Sequence, residues 1–331
     1  MKIQFSKVTN TQGSLNKSFS YDSNDQVIKE SNALLSLGTA EVVEVNNLSE
    51  FYIHLENLQS NQAIISGIPK DEVLVNIVKK GAENPPFFIS RSNNYFMYPV
   101  EYGVLLADYD PDKAMSNHIV LKTPQEFYEV LCKILPPKFA KVECLIGSGS
   151  SNGIKNVNGE LLYDSGSMHA YWVNVNLTDK NIDNLIEYIK RACILNNLYY
   201  LKIFKDGSTG MRYALDLSVL KSALSRLIFE AKPTCKNGLY QDRPQSLIWN
   251  TGSQETLDLS KIFYDHLPDW KPIYEQLKMK NKELIQLTKE NYKASKIQEL
   301  VQKGFELTVA INIADQYIKE STLSVKTLVE F

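Results

Sequence analysis

The 331 residues carry a formal net charge of -2, with 44% hydrophobic and 22% charged side chains; this balance suits a globular protein with room for a catalytic core and a smaller appendage. No apolar run approaches the roughly 18 residues of a membrane span, and Met1-Lys2-Ile3-Gln4-Phe5 offers no apolar stretch for a signal peptide, so no membrane partner and a cytoplasmic location are expected. Near-neutral charge excludes coating nucleic acid by bulk electrostatics, and four cysteines without a Cys-x-x-Cys pair, with His54, His118, His169 and His266 scattered, give no zinc-ligand spacing, so no zinc is expected.

Residues 1–86 lean acidic and mix short apolar runs (Val42-Val43, Ala63-Ile64-Ile65) with helical spacing at 48–58 and 71–80. From Pro86 the texture becomes strand-like: Phe87-Phe88-Ile89-Ser90, then 95–99, then the continuous run Gly103-Val104-Leu105-Leu106-Ala107 closing on Asp108. Such a run reads as a buried strand delivering polar residues at its end. A helix is predicted over 123–135, with Thr123 as N-cap, Pro124 at the first helical position and Glu126 completing a capping box. A strand at 142–146 enters the Gly/Ser loop 147–153, and a strand at 168–175 precedes an amphipathic helix at 181–195. Further strands are predicted at 198–204 and 211–217, then a helix at 218–231 and turns at Asn237-Gly238 and Asn250-Thr251-Gly252. From Asp269 the Lys, Glu, Leu and Ile spacing predicts two or three helices that are still running near Phe331, which leaves room for a continuation. The expectation is an α+β core over 1–260, divided into an N-terminal αβ portion (1–86) and a motif-bearing portion (87–260), followed by a helical module at 266–331.

Four groups could carry chemistry. Asp108 and Asp110 stand two apart, so on a strand both carboxylates point to one side. Such a pair suits one or two divalent cations, although Asp-Tyr-Asp-Pro-Asp-Lys also reads as a solvated turn. Ser167 and His169 share the same spacing at a strand start and could offer donors to a triphosphate; a satisfied strand-end histidine is the alternative. The loop with Ser150 and Ser151 could wrap phosphates with backbone N–H groups, or merely connect, and it lacks the Gly-Lys-Ser/Thr of a Walker A loop. Asp216 could be a third carboxylate or the cap of the helix after it, and Arg212 could meet a phosphate or a surface acid. Between residues 187 and 243 Lys and Arg outnumber Asp and Glu, which allows one positive face.

The order of these pieces resembles the archaeo-eukaryotic primase superfamily, in particular the primase-polymerase domains carried by phages, plasmids and integrating elements. The resemblance rests on Val104 to Asp110, Gly147 to Gly153, Gly166-Ser167-Met168-His169-Ala170-Tyr171, and Arg212 to Glu230 with its Arg226-Leu227-Ile228-Phe229-Glu230 run, plus Ile89-Ser90-Arg91. It covers roughly residues 85–250. It implies an RRM-like catalytic sheet with a smaller αβ subdomain and a following helical bundle. It also implies two Mg²⁺ or Mn²⁺ ions on Asp108, Asp110 and Asp216, and nucleotide binding by His169, Ser167 and Arg212. Arg91, Ser150, Ser151 and Arg226 would contact template or phosphate.

The expected activity is primer synthesis or extension on single-stranded DNA from nucleoside triphosphates. With no Walker A motif, any replicative helicase would lie on another chain or on a continuation of this one. Two rivals stand beside it: a catalytically silent protein of the same fold that binds an origin or single-stranded DNA, and a metal-dependent nuclease.

Overall fold

The computed structural model describes residues 1–31, 34–79, 87–112, 114–115, 119–253 and 256–329, with side chains of the last helix described as far as residue 318. The protein is mixed α+β, with several sheets and, among the described residues, seven α-helices. No helix among them is long and apolar enough to cross a membrane. Contacts divide the chain into one unit of Met1–Asp112, Val120–Ala192 and Leu215–His266, and a second of Lys113–Ile119, Cys193–Ala214 and Leu267–Phe331.

The two largest sheets of the first unit position the site. One runs in the order Gln62–Ile65, Ile3–Asn10, Leu37–Val45, Leu74–Val78, Phe88–Ser90. Its pairings are antiparallel except the last. It is buried on both faces: Ile3, Phe5 and Ile64 enter one core, while Val8, Ala63 and Ile65 enter another. That explains the unbroken Ala63-Ile64-Ile65 run, because a strand covered on both sides has no polar face to show.

The second sheet runs Gly103–Tyr109, Met168–Val175, Cys144–Ser148, Leu247–Trp249, all antiparallel, with Leu257–Asp258 pairing parallel to the end of Met168–Val175. Alternation sends Val104, Leu106, Tyr171, Val173 and Leu145 to one face, where they share a core with Ile3, Phe5, Ile64 and the helix Leu48–Glu56. Tyr109 and Trp172 point the other way, toward Phe127 and Phe139. The helix Pro124–Ile134 begins with the expected capping box: the Thr123 hydroxyl accepts from the Glu126 N–H at 3.2 Å, and Glu126 accepts from the Thr123 N–H at 3.1 Å.

Two expectations fail. The helix predicted at 71–80 is the strand Leu74–Val78; its Val-Leu-Val-Asn-Ile-Val stretch is rich in β-branched residues, and pairing with Leu37–Val45 decides its state. Lys80, at the end of that prediction, lies outside the described residues, as do Pro86 and His118. The helix predicted at 218–231 stops after one turn, at Leu217–Lys221. The chain then extends so that Ile228 exchanges backbone hydrogen bonds with Ile64, at 2.8 and 3.1 Å, along the edge of the first sheet.

The second unit contains the helices Lys271–Lys280, Lys282–Gln302 and Leu307–Val329. The hairpin Tyr199–Ile203 and Thr209–Tyr213 groups with them, fastened by the Tyr274 hydroxyl donating to the Thr209 carbonyl at 2.8 Å. By contacts the hairpin, which falls inside the expected 1–260 core, is grouped with the C-terminal helices.

Candidate active site

Three strands of the second sheet place one row of residues side by side: Asp108 faces His169 in register, and His169 faces Gly147. The row before it, Leu106, Tyr171 and Leu145, is core. The same face thus turns from apolar to polar at the strand ends, and Asp110 continues it beyond the last pairing while Tyr109 points away. The Tyr109 hydroxyl is fixed on the opposite side, accepting from the Leu121 N–H at 2.7 Å. Asp108, Asp110, Ser167 and His169 line one cleft of about 140 Å³, closed by Leu106, Val219, Arg226 and Leu227–Phe229, with Lys17 reaching in from the strand Lys17–Tyr21.

His169 lies between two carboxylates. Its Nε2 is 3.2 Å from Asp108 Oδ1, and its Nδ1 bonds Glu230 Oε1. Burial alone would lower the ring's pKa, but Glu230 and Asp108 outweigh burial and raise it to about 10. Burial would likewise raise Glu230, yet His169, Arg243 and the Tyr171 hydroxyl, which donates to it at 2.6 Å, hold it down at about 2. Arg243 Nη1 lies 3.9 Å from Glu230, and the same guanidinium donates to the Ser148 carbonyl at 3.2 Å and to Glu56 at 3.0 Å. Glu230 is the residue that the sequence reading passed over. It carries the signal that marked Asp108, a carboxylate closing a short apolar run (Leu227-Ile228-Phe229), but the predicted helix hid it.

Asp110 remains solvent-accessible, although the protein crowded round its carboxyl, together with Asp108, pushes it above the ordinary aspartate value. Lys17 is lowered by burial and by Lys29, against the pull of Asp110, Glu230 and Asp108. Its ammonium has no hydrogen-bond or ion-pair partner among the described residues. A cleft holding two crowded carboxylates and an unpaired cation is suited to binding a cation and an anion together.

The Gly/Ser loop is an ordered, buried turn. Ser150 and Ser151 are buried, so neither side chain is placed to contact a template strand. The loop is instead clasped to Ser165 and Ser167. The Gly149 N–H and the Asn152 side-chain amide donate to the Ser167 carbonyl at 2.8 and 2.9 Å, while Ser165 bonds Asn152 Oδ1 and lies 2.8 Å from the Ser167 hydroxyl. A Cβ on Gly149 would sit 2.1 Å from Ser167 Oγ, so only glycine allows the approach.

Asp216 is brought next to Asp108 through the backbone, its N–H donating to the Asp108 carbonyl at 2.8 Å. Its side chain takes the capping role: Oδ1 accepts from the Ser218 N–H at 3.0 Å, and Oδ2 lies 3.9 Å from Arg226 Nη2. Among the described residues no group of three or more His, Cys, Asp or Glu side chains is arranged to hold a metal ion. Arg226 lines the cleft and donates to the Ser218 hydroxyl at 3.0 Å. Arg91 braces the segment before Arg226, its guanidinium donating to the Ser225 carbonyl. Arg212 belongs to the second unit, where it lies over the Phe204 ring, 5.6 Å from its centroid. No family model, curated protein or solved structure matches the chain.

Proposed function

We propose that the protein is a divalent-metal-dependent nucleotidyltransferase of the primase-polymerase type, extending or making primers on single-stranded DNA. The observation that carries this reading is the meeting of Asp108 and Asp110 with Ser167 and His169 in one cleft that also holds Arg226 and Lys17. The resemblance read from the sequence assigns those carboxylates and that Ser-x-His pair to these tasks, and they come from separate strands.

The donor set fits magnesium or manganese. Mg²⁺ takes one or two carboxylates and fills its remaining positions with water and phosphate oxygens, so Asp108 and Asp110 suffice for a site completed by the nucleotide. Asp216 would join them as a third ligand by giving up its cap on Ser218. Bound metal would supply charge neutralisation on the triphosphate and a lower pKa for the attacking 3′-hydroxyl. The chain's own residues supply the rest. His169 and Ser167 offer donors to phosphate oxygens, and Arg226 and Lys17 offset the remaining charge. The RRM-like core and the helical module's role in holding template belong to the same reading.

The test is synthesis on single-stranded DNA with nucleoside triphosphates and Mn²⁺, comparing wild type with Asp108→Ala plus Asp110→Ala. Product from wild type alone is expected; equal product from both overturns the reading. DNA binding without synthesis favours the silent binding protein, and nucleotide release without triphosphate favours the nuclease.

A further inference from the structure

Glu230 takes no part in the reaction proposed above, yet it is the most enclosed charged side chain of the site. It is 6% exposed, and its partners are the Tyr171 hydroxyl at 2.6 Å, His169 Nδ1 and the Arg243 guanidinium at 3.9 Å. Burying a carboxylate this far is unfavourable unless every oxygen is matched, and an apolar residue continuing Leu227-Ile228-Phe229 would serve packing better. What the carboxylate does that an apolar side chain could not is hold an imidazole. Tyr171 sits two residues beyond His169 on the same strand face, so both reach Glu230 Oε1 from one side. The carboxylate itself is fixed from two directions: the pairing of Ile228 with Ile64 anchors its backbone, and Arg243, tied to Ser148 and Glu56, closes the far side. A ring held at one nitrogen by a rigid acceptor has its plane and its other nitrogen fixed.

We infer that Glu230 is a positioning residue, which locks the His169 ring through Nδ1 so that Nε2 stays aimed into the cleft beside Asp108. The geometry is independent of any activity, while the consequence for turnover rests on the nucleotidyltransfer reading.

The experiment uses the full chain labelled with ¹⁵N-histidine, with His169→Asn to assign the His169 signals, and compares wild type, Glu230→Ala and Glu230→Gln. Wild type should show a downfield, slowly exchanging Nδ1 proton. Glu230→Ala should lose it and drop kcat by about 10–100-fold with nucleotide KM nearly unchanged, as removal of an orienting partner does. Glu230→Gln, which keeps an acceptor of the same shape, should recover part of both. Persistence of the wild-type signal and kcat in Glu230→Ala overturns the role. Should that variant not fold, Glu230→Gln decides: a shifted resonance with reduced kcat supports the role, and wild-type values for both overturn it. If wild type makes no product, the nucleotidyltransfer reading fails, and the Nδ1 proton alone decides whether Glu230 holds the ring.

Discussion

His169 and Asp108 are joined twice, as cross-strand partners in register and through a 3.2 Å contact between Nε2 and Oδ1. With Glu230 on the other nitrogen, the two carboxylates raise the ring's pKa above its ordinary value, so its stabilising effect depends on pH. His169 titrates near 10 instead of 6.5, so its contribution is complete below 6.5 and fades as pH rises toward 10. Glu230 titrates near 2 instead of 4.5, so its contribution is complete above 4.5 and fades as pH falls toward 2. In metal-free protein the stability advantage of wild type over Glu230→Gln should therefore peak between pH 4.5 and 6.5. Removing one partner of a buried pair sets its size at about 3–5 kcal/mol. Urea unfolding across the pH range measures it, and a difference that does not change with pH refutes the coupling.

Asp110 behaves in the opposite sense. Its folded value lies above 3.8 because of crowding and Asp108, so its ionised form works against the fold once pH passes that value. Asp110→Asn should raise the melting temperature at neutral pH while reducing primer synthesis to background. A variant both less stable and fully active would contradict each half.

Gly149→Ala places a methyl 2.1 Å from Ser167 Oγ and 3.1 Å from its Cβ. Ser167 has to move, and its clasp with Ser165 and Asn152 goes with it. The expected loss is about 1–3 kcal/mol in chemical unfolding, together with a higher nucleotide KM. Wild-type KM in the variant would show that Ser167 does not touch the nucleotide.

Arg91 and Arg226 should separate cleanly. Arg91→Ala takes a charged donor from the Ser225 carbonyl and should cost about 1–3 kcal/mol of stability, leaving nucleotide KM near wild type. Arg226→Ala removes a half-exposed cation from the cleft; it should leave stability near wild type, raise nucleotide KM and weaken the salt dependence of binding. Unfolding curves and steady-state kinetics on the two proteins check both.

What could be read in the sequence was local. The Gly103–Tyr109 and Met168–Val175 strands, the capping box at Thr123 and the C-terminal helices follow from periodicity and caps, and the two-residue spacing of Asp108 with Asp110 and Ser167 with His169 gave their shared side. What escaped was set by partners distant in the chain. Leu74–Val78 is a strand because Leu37–Val45 pairs with it, and residues 227–230 are extended because Ile64 takes the hydrogen bonds of Ile228. Glu230 is set at the site by the Ile228 pairing with Ile64, Lys17 by a strand paired with Val27–Ser31 and Thr234–Cys235, and Arg243 by its bonds to Ser148 and Glu56, mostly contacts between residues far apart in the chain.

The Ile64–Ile228 bridge also ties the N-terminal quarter to the candidate site. The strand Gln62–Ile65 holds the run that presents Glu230, and the same portion contributes Lys17 to the cleft wall. A fragment beginning near residue 87 would keep Asp108, Asp110 and His169 but lose the ladder against which Glu230 is set, along with the sheet that buries Leu106 and Tyr171. The stretch with no motif therefore packs in the same compact unit as the strands that carry Asp108 and His169.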